Sequence, residues 1–236
     1  MTEPAKKHEI TPEQRAKLDL FRDTLLEWNE KMNLTGITDP AEIETKHFED
    51  SISALAAFPK AKAGVPLTLI DVGSGAGFPG IPLAIVRPDI QVTLVESVNK
   101  KAQFLEHVIE KLELKNCTVA SARAEEVGQH VDYREKYDIA IARAVALLPI
   151  LAEYLLPLVK IGGIAVAQKI LKEMNEGDGG RTEIDAALPA ITALGGKLKE
   201  VIPVAGLKHL IVIEKISPTP IEYPRRAGMP AKTPIL

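Results

Sequence analysis

The chain has 236 residues, 46% apolar and 26% charged, with a net charge of −3 and a single cysteine, Cys117. At roughly 150 residues per domain this is one domain with an appendage, large enough to bury about 70% of its unfolded surface without covalent staples. These values exclude a disordered or collagen-like chain, and they exclude attraction to polyanions through net charge, so a nucleic-acid partner has to be held by a local basic patch. The charge is segregated, with residues 1–60 summing to −4 and residues 208–236 to +3. Aromatic residues, at 4%, leave little for a base-stacking platform. The lone cysteine and the polar start MTEPAKKHEITPEQ point to a reducing, cytoplasmic setting with no secretory signal.

In chain order, Thr11-Pro12-Glu13-Gln14 and Asp39-Pro40-Ala41-Glu42 each supply a cap, a proline in the first turn and a capping-box partner. They predict one helix to about Met32, with Leu18, Phe21, Leu25 and Trp28 on one face, and a second to about Phe58, with Ile43, His47, Ser51 and Ala54 in register. From Pro66 onward the rhythm becomes seven short β-branched runs: LTLIDV, IQVTLVE, CTVAS, YDIAIA, GIAVAQK, LKEVIPV and HLIVIEK. Helix-length segments separate the first five, which requires parallel crossovers, whereas the last two are close enough to pair antiparallel. The pattern is an α/β, doubly wound, Rossmann-like seven-stranded sheet ending in an antiparallel hairpin.

Residues 139–159 are apolar enough to resemble a membrane span, but Arg143, Glu153 and Pro149 within them argue for strand, turn and buried helix. The expected organisation is an N-terminal helical extension (1–62), a sheet domain (63–216) and a proline-rich basic tail (217–236) extended or wrapped over the surface.

After the first strand comes DVGSGAGFPG, where Gly73, Gly75 and Gly77 permit a tight turn and close approach of a ligand to the backbone. A phosphate loop would need Lys-Ser/Thr where Ile81-Pro82 stand, and a dinucleotide fingerprint would need glycine at Phe78. Glu96 closes the second strand 19 residues past Gly77, where a carboxylate can accept both ribose hydroxyls. Adenosine without pyrophosphate fits both features, and S-adenosyl-L-methionine is the common ligand of that kind. Arg123 and Arg143 lie at the ends of the third and fourth strands, the edge where open parallel sheets hold ligands. A guanidinium there can address guanine O6 or phosphate, or serve as a structural ion pair; after so apolar a strand, Arg143 needs an anionic or acceptor partner.

The series EWNEKMNLTGITDP, KHFEDS, DVGSGAGFPGIPLAIVRP, SARAEEV, IARAVA, KHLIVIEK and EYPRRAGMPAKTP resembles the bacterial small-subunit (16S) ribosomal RNA guanine-N7 methyltransferases, formerly called glucose-inhibited division protein B, over about residues 20–236. The resemblance implies a class I S-adenosylmethionine-dependent fold with an N-terminal helical extension, acting on 16S ribosomal RNA in the small subunit or its assembly intermediate. It implies that Gly73, Gly75, Phe78, Ala124, Glu125 and Arg143 contact cofactor or the reacting site, beside Glu96. Glu125 would accept from the adenine amine and Ala124 would offer a backbone donor. Arg143 and Arg123 are the expected catalytic pair; Arg123, Lys169, Lys208, His209, Asn33 and His47 are expected on the substrate side. Asn33 and His47 also suit a turn and a helix-docking contact. Two residues depart from the family: Ile170 stands where glycine usually follows Lys169, and Lys208 stands where arginine is usual before His209.

Guanine N7 carries an available lone pair, so no proton has to be removed before it attacks a methyl group. This agrees with the fourth strand ending in Ala142-Arg143-Ala144, without the Asn/Asp-Pro-Pro-aromatic clamp of amine methylation. Cys117 opens the third strand, poorly placed as a nucleophile, and no His/Cys cluster has metal-ligand spacing, so no metal is expected. N7 faces the major groove, too deep and narrow in A-form RNA for side chains, so the target guanine should lie in a loop, bulge or open end. A small-molecule methyltransferase, a nicotinamide dehydrogenase and a non-catalytic RNA-binding or cofactor-sensing module stay open as alternatives.

Overall fold

The computed structural model describes residues 8–60, 64–143, 146–170, 182–204 and 208–236. The boundary expected at residues 62 and 63 lies outside the described residues, as do residues 1–7 and Ala144 and Val145 of the IARAVA motif.

Helix α1 (Pro12–Met32) opens as its cap requires: the Gln14 N–H donates to Thr11 Oγ1 (3.2 Å) and the Thr11 N–H donates to Gln14 Oε1 (3.0 Å). It buries Leu18, Phe21 and Leu25 and leaves Trp28 half-buried. The second helical run is not one regular α-helix. It divides into α2 (Pro40–Ile43), a π-helical turn (Glu44–Glu49), α3 (Asp50–Ser53) and a 3-10 turn (Ala54–Ala57). Asp39 caps the Glu42 N–H at 2.9 Å, but the Glu42 carboxylate turns to Lys46 (2.6 Å), so only half of the second capping box forms. The inward set Ile43, His47, Ser51 and Ala54 is buried as expected. Apolar spacing reports which residues face the core; it does not register the wider turn that the backbone takes between them.

The strands and remaining helices alternate: β1 (Thr68–Val72), α4 (Gly80–Val86), β2 (Gln91–Val95), α5 (Asn99–Lys111), β3 (Cys117–Ala120), α6 (Ala124–Gln129), β4 (Tyr137–Arg143), α7 (Leu148–Leu155), β5 (Val159–Ile170), α8 (Glu183–Ala193), β6 (Gly196–Pro203), β7 (Lys208–Lys215) and the short α9 (Met229–Lys232). All seven expected strands are present, in the order β3-β2-β1-β4-β5-β7-β6. β1 to β5 pair in parallel, while β7 runs antiparallel between β5 and β6, bringing Lys208 opposite Ile170. The chain leaves β1 in one direction and returns on its other side at β4, which creates a crevice at the carboxyl ends of those strands. Because β7 is reversed, its first residue, Lys208, comes to the same edge as the last residues of β5.

Alternation along each strand divides the core. Leu69, Leu94, Ile139 and Val166 pack with Leu18, Phe21, Ile43 and Phe48, so the N-terminal helices share one apolar cluster with the sheet. Ile70, Ala140, Ala165 and Ile213 pack on the other face, against Leu151 and Leu155 of α7 and Ile191 of α8. The tail wraps over α6 and α7, where Arg134 donates to the carbonyls of Thr219, Pro220 and Tyr223, and Arg225 pairs with the buried Glu153. Among the described residues no helix is long and apolar enough to cross a membrane.

Candidate active site

Three adjoining hollows follow the carboxyl edge of the sheet. The first, 170 Å³, lies between the ends of β1, β2 and β3 and is lined by Val72, Gly73, Val95, Arg123, Ala124, Glu125 and Tyr154. Gly73 also borders the second, 160 Å³, which includes Thr35, His47, Gly75, Phe78 and Arg143. His47 and Arg143 in turn border the third, 370 Å³, whose rim carries Lys46, Asp50, Gln168, Lys169, Ile170 and Lys208.

The glycine loop forms the first boundary. The N–H groups of Gly73 and Ser74 donate to the Val95 carbonyl (2.9 and 3.0 Å), lashing β1's end to β2. Gly73 and Gly75 have φ of 73° and 58°, a region that side chains with a Cβ rarely adopt. Glu96 is buried, and its two carboxylate oxygens accept from the N–H groups of Gly75 (3.0 Å) and Val98 (2.8 Å). Each oxygen keeps a second lone pair, so the same carboxylate that shapes the loop can accept ribose hydroxyls. Ala124 and Glu125 stand in the first turn of α6, where helix N–H groups have no intrahelical acceptor. Apolar strand ends, spare acceptor capacity on Glu96 and a first-turn N–H donor at Ala124 make a set of groups that fits adenosine.

The second boundary is built from side chains. Phe78 is buried against Phe21 (centroids 5.2 Å apart); His47 stacks on it at 4.3 Å, and the Arg143 guanidinium lies 4.9 Å from its centroid. Arg143 donates to Asp50 Oδ2 (3.0 Å) and to His47 Nδ1 (3.2 Å). An arginine has only donors, so Nδ1 of His47 accepts, and its Nε2–H donates to Thr35 Oγ1 (2.9 Å). Burial first, and the neighbouring Arg143 charge second, pull the His47 pKa down to about 4. Asp50 is the shared anion: its second oxygen accepts from Lys208 Nζ at 2.9 Å. Burial lowers the Arg143 pKa and Asp50 opposes that shift. Arg143 is therefore both an ion-pair member and a wall of the site; the partner that its apolar strand demanded is Asp50, 93 residues away in sequence.

The structure redistributes several expected roles. Arg123 is exposed beside the first hollow and is not brought to Arg143. Asn33 is the left-handed C-cap of α1, exposed and outside all three hollows; the turn serves the site through Thr35, whose backbone N–H and carbonyl are both held by the Asn29 side chain. Lys169 lines the third hollow, but its ammonium is paired with Glu183 (2.5 Å) and the Ala146 carbonyl (2.8 Å). Strand alternation explains this. Gln168 and Lys208 face the helical extension, and Lys169 and His209 face the other side of the sheet, which keeps His209 out of the hollow's lining. Glu125 stands in the first turn of α6, and its Oε1 accepts from the Gly228 N–H at 2.7 Å. Ile170 does not disturb β5, which stays paired through it, and Lys208 still reaches Asp50. Cys117 is buried in β3 and burial raises its pKa to about 12, which leaves it a poor nucleophile.

Sequence reasoning passed over Asp50, Thr35 and Asp71. Asp50 stands three residues after His47 in KHFEDS, a spacing that aligns two side chains on one helical face. Asp71, wholly buried beneath the loop, accepts from the Gly80 N–H (2.9 Å), and burial raises its pKa to about 7.

A doubly wound sheet whose sixth and seventh strands close an antiparallel end, with a glycine loop after β1 and an acid after β2, defines the class I S-adenosylmethionine-dependent methyltransferases. A solved structure of such an enzyme from Aquifex aeolicus has this fold: TM-score 0.57 at 17% identity, covering 83% of this chain and 98% of its own. The family described as rRNA small subunit methyltransferase G matches residues 14–194. Ribosomal RNA small subunit methyltransferase G of Acetivibrio thermocellus is 48% identical over 232 residues, 96% of this chain and 90% of that protein. Its counterpart from Staphylococcus carnosus is 45% identical, covering 100% of this chain and 98% of its own. This chain belongs to the rRNA small subunit methyltransferase G family.

Proposed function

We propose that the chain transfers a methyl group from S-adenosylmethionine to N7 of a guanine in 16S ribosomal RNA, acting on the small ribosomal subunit or its assembly intermediate in the cytoplasm. The observation that carries this reading is the junction at His47 and Arg143, where a cradle suited to adenosine opens into a hollow rimmed by Lys46, Arg143, Lys169 and Lys208. The cofactor supplies an electrophilic methyl group on a sulfonium. The chain's own residues do the rest by position. Gly73 and Gly75 admit the ligand to the backbone, Glu96 accepts from the ribose, and Ala124 and Glu125 border the adenine. Arg143, held by Asp50 and His47 and laid over Phe78, addresses guanine O6 and leaves N7 clear for in-line attack. Rigid orientation of this kind is where most of the acceleration arises in a reaction that needs no general base.

The ionisation states agree with such a reaction. His47, with its pKa near 4, is a weak base at neutral pH and its Nδ1 already accepts from Arg143. Asp50 is occupied by two cations. Neither is free to strip a proton from an exocyclic amine, and N7 does not ask for it. Incubation with tritiated S-adenosylmethionine and bacterial small subunits or their RNA, followed by nucleoside analysis, should yield 7-methylguanosine. Label in another nucleoside, or transfer confined to small molecules, overturns the reading.

A further inference from the structure

The motif EYPRRAGMPAKTP has no place in the chemistry above, yet its two firmest side-chain anchors fall beside the first hollow. Glu153, 1% exposed on α7, accepts from the Arg225 N–H (2.8 Å), Nε (2.9 Å) and the terminal guanidinium nitrogen (2.6 Å). Its sequence neighbour Tyr154 lines the hollow. Glu125, 4% exposed on α6, accepts from the Gly228 N–H (2.7 Å), and it and its neighbour Ala124 line the same hollow. Just before these anchors α6 lies directly on the tail. A Cβ added at Gly128 would sit 2.7 Å from the Pro224 ring, and Gln129 donates to the Pro224 carbonyl at 2.8 Å. Four residues of the tail, Arg225 to Gly228, thus tie together the α7 and α6 segments that line the hollow.

We infer that the C-terminal segment is a strap that sets the width of the adenosine hollow, with Arg225 as the positioning residue. The inference rests on the reading that this hollow takes the adenosine of S-adenosylmethionine. The physical link is direct. The tail fixes where α6's first turn stands relative to α7, so a ligand gripped between Ala124–Glu125 and Tyr154 binds best to the strapped state. Linkage then requires the reverse, that the ligand holds the strap down. The strap makes no demand on the third hollow, which lies on the far side of Arg143, so RNA binding and the transfer step are independent of it.

The test measures S-adenosylhomocysteine binding by calorimetry, steady-state kinetics, and hydrogen exchange of the backbone at 223–229 with and without that ligand. Arg225→Ala should raise the ligand's Kd and the KM for S-adenosylmethionine by about tenfold, within the usual range of coupling between linked sites, and leave kcat at saturation close to that of the unaltered chain. In the unaltered chain, saturating ligand should slow exchange of the 223–229 amides. Because Arg225→Ala strands a buried carboxylate, Glu153→Met/Arg225→Met removes the tie without leaving a buried charge, and it should show the same split between KM and kcat. Unchanged Kd in the folded double variant, or tail exchange indifferent to ligand, overturns the strap alone. Failure of the unaltered chain to bind S-adenosylhomocysteine overturns the cofactor reading and the strap with it.

Discussion

The two sides of Arg143 are framed with different materials. Toward β2 and β3, the first hollow is bordered by Gly73 at positive φ, on a loop that Glu96 holds by the Gly75 and Val98 N–H groups, and by the first turn of α6. Toward β5 and β7, the third hollow is framed by side-chain charge, with Asp50 drawing Arg143 and Lys208 together. A frame of backbone is rigid because its hydrogen bonds are those of the fold. A frame of charge is rigid only while every partner is present, since a buried ion whose counter-ion is removed costs several kcal/mol. Substitutions on the charged side should therefore disturb geometry and chemistry together, and those on the backbone side should disturb affinity.

The largest effect is expected at Arg143. Arg143→Ala should slow single-turnover methylation by about a hundredfold or more, the scale of misplacement next to the chemistry. RNA binding should fall far less, because phosphate contacts elsewhere supply most of it. Arg143→Lys should rescue poorly, since one ammonium cannot hold Asp50 and His47 and still present a planar fork. Thermal melts run in parallel separate this from a structural role: lost stability with near-normal transfer in the folded fraction would make Arg143 an ion-pair member only.

On the backbone side, Glu96→Ala should weaken S-adenosylmethionine binding by about 1–3 kcal/mol in calorimetry, as expected for loss of a charged acceptor. It also strands the N–H groups of Gly75 and Val98, so the loop should loosen with little change at His47 and Arg143. Unchanged affinity would remove Glu96 from the cofactor site and break the contrast.

A pH series sharpens it further. His47 titrates near 4 in the fold and near 6.5 when unfolded, so between these values the unfolded chain binds more protons. Its contribution therefore lowers stability as pH falls from about 6.5 toward 4 and is absent above that window. Asp71 acts in the opposite sense: its folded pKa near 7 exceeds the unfolded value of 3.8, so its contribution is gained as pH falls from about 7 toward 3.8. The melting temperature of His47→Gln should accordingly fall less than that of the unaltered chain between pH 6.5 and 4.5. Parallel curves would show that His47 is not held neutral.

The smallest effect belongs to the rim. Lys46 is exposed and, among the described residues, its ammonium pairs with Glu42 on its own helical run, so Lys46→Ala should leave the fold intact. If it contacts phosphate, the slope of log affinity against log salt should shrink by about 0.7–0.9. An unchanged slope would take Lys46 out of the RNA contact.

Sequence alone determined the parts of this protein that local pattern can encode. Caps and prolines placed both helical starts; β-branched runs and their spacing placed seven strands and the final antiparallel pairing; glycines and the acid at Glu96 marked the loop that closes β1 against β2. Each is a short-range consequence of backbone sterics and hydrogen bonding, readable within a few residues. Tertiary structure decided which charges meet. Asp50 lies 93 residues from Arg143, and Glu125 lies 103 residues from Gly228. No local period records such pairs. Sequence could not say that Lys169 and His209 would stand on the sheet face opposite Gln168 and Lys208, that Lys169 would pair with Glu183, or that Asn33 would cap the end of α1. A side chain's chemistry is written in its residue type, but its direction comes from the strand or helix that carries it, and its partner from packing elements distant in sequence, where the cost of an unpaired buried charge selects the arrangement.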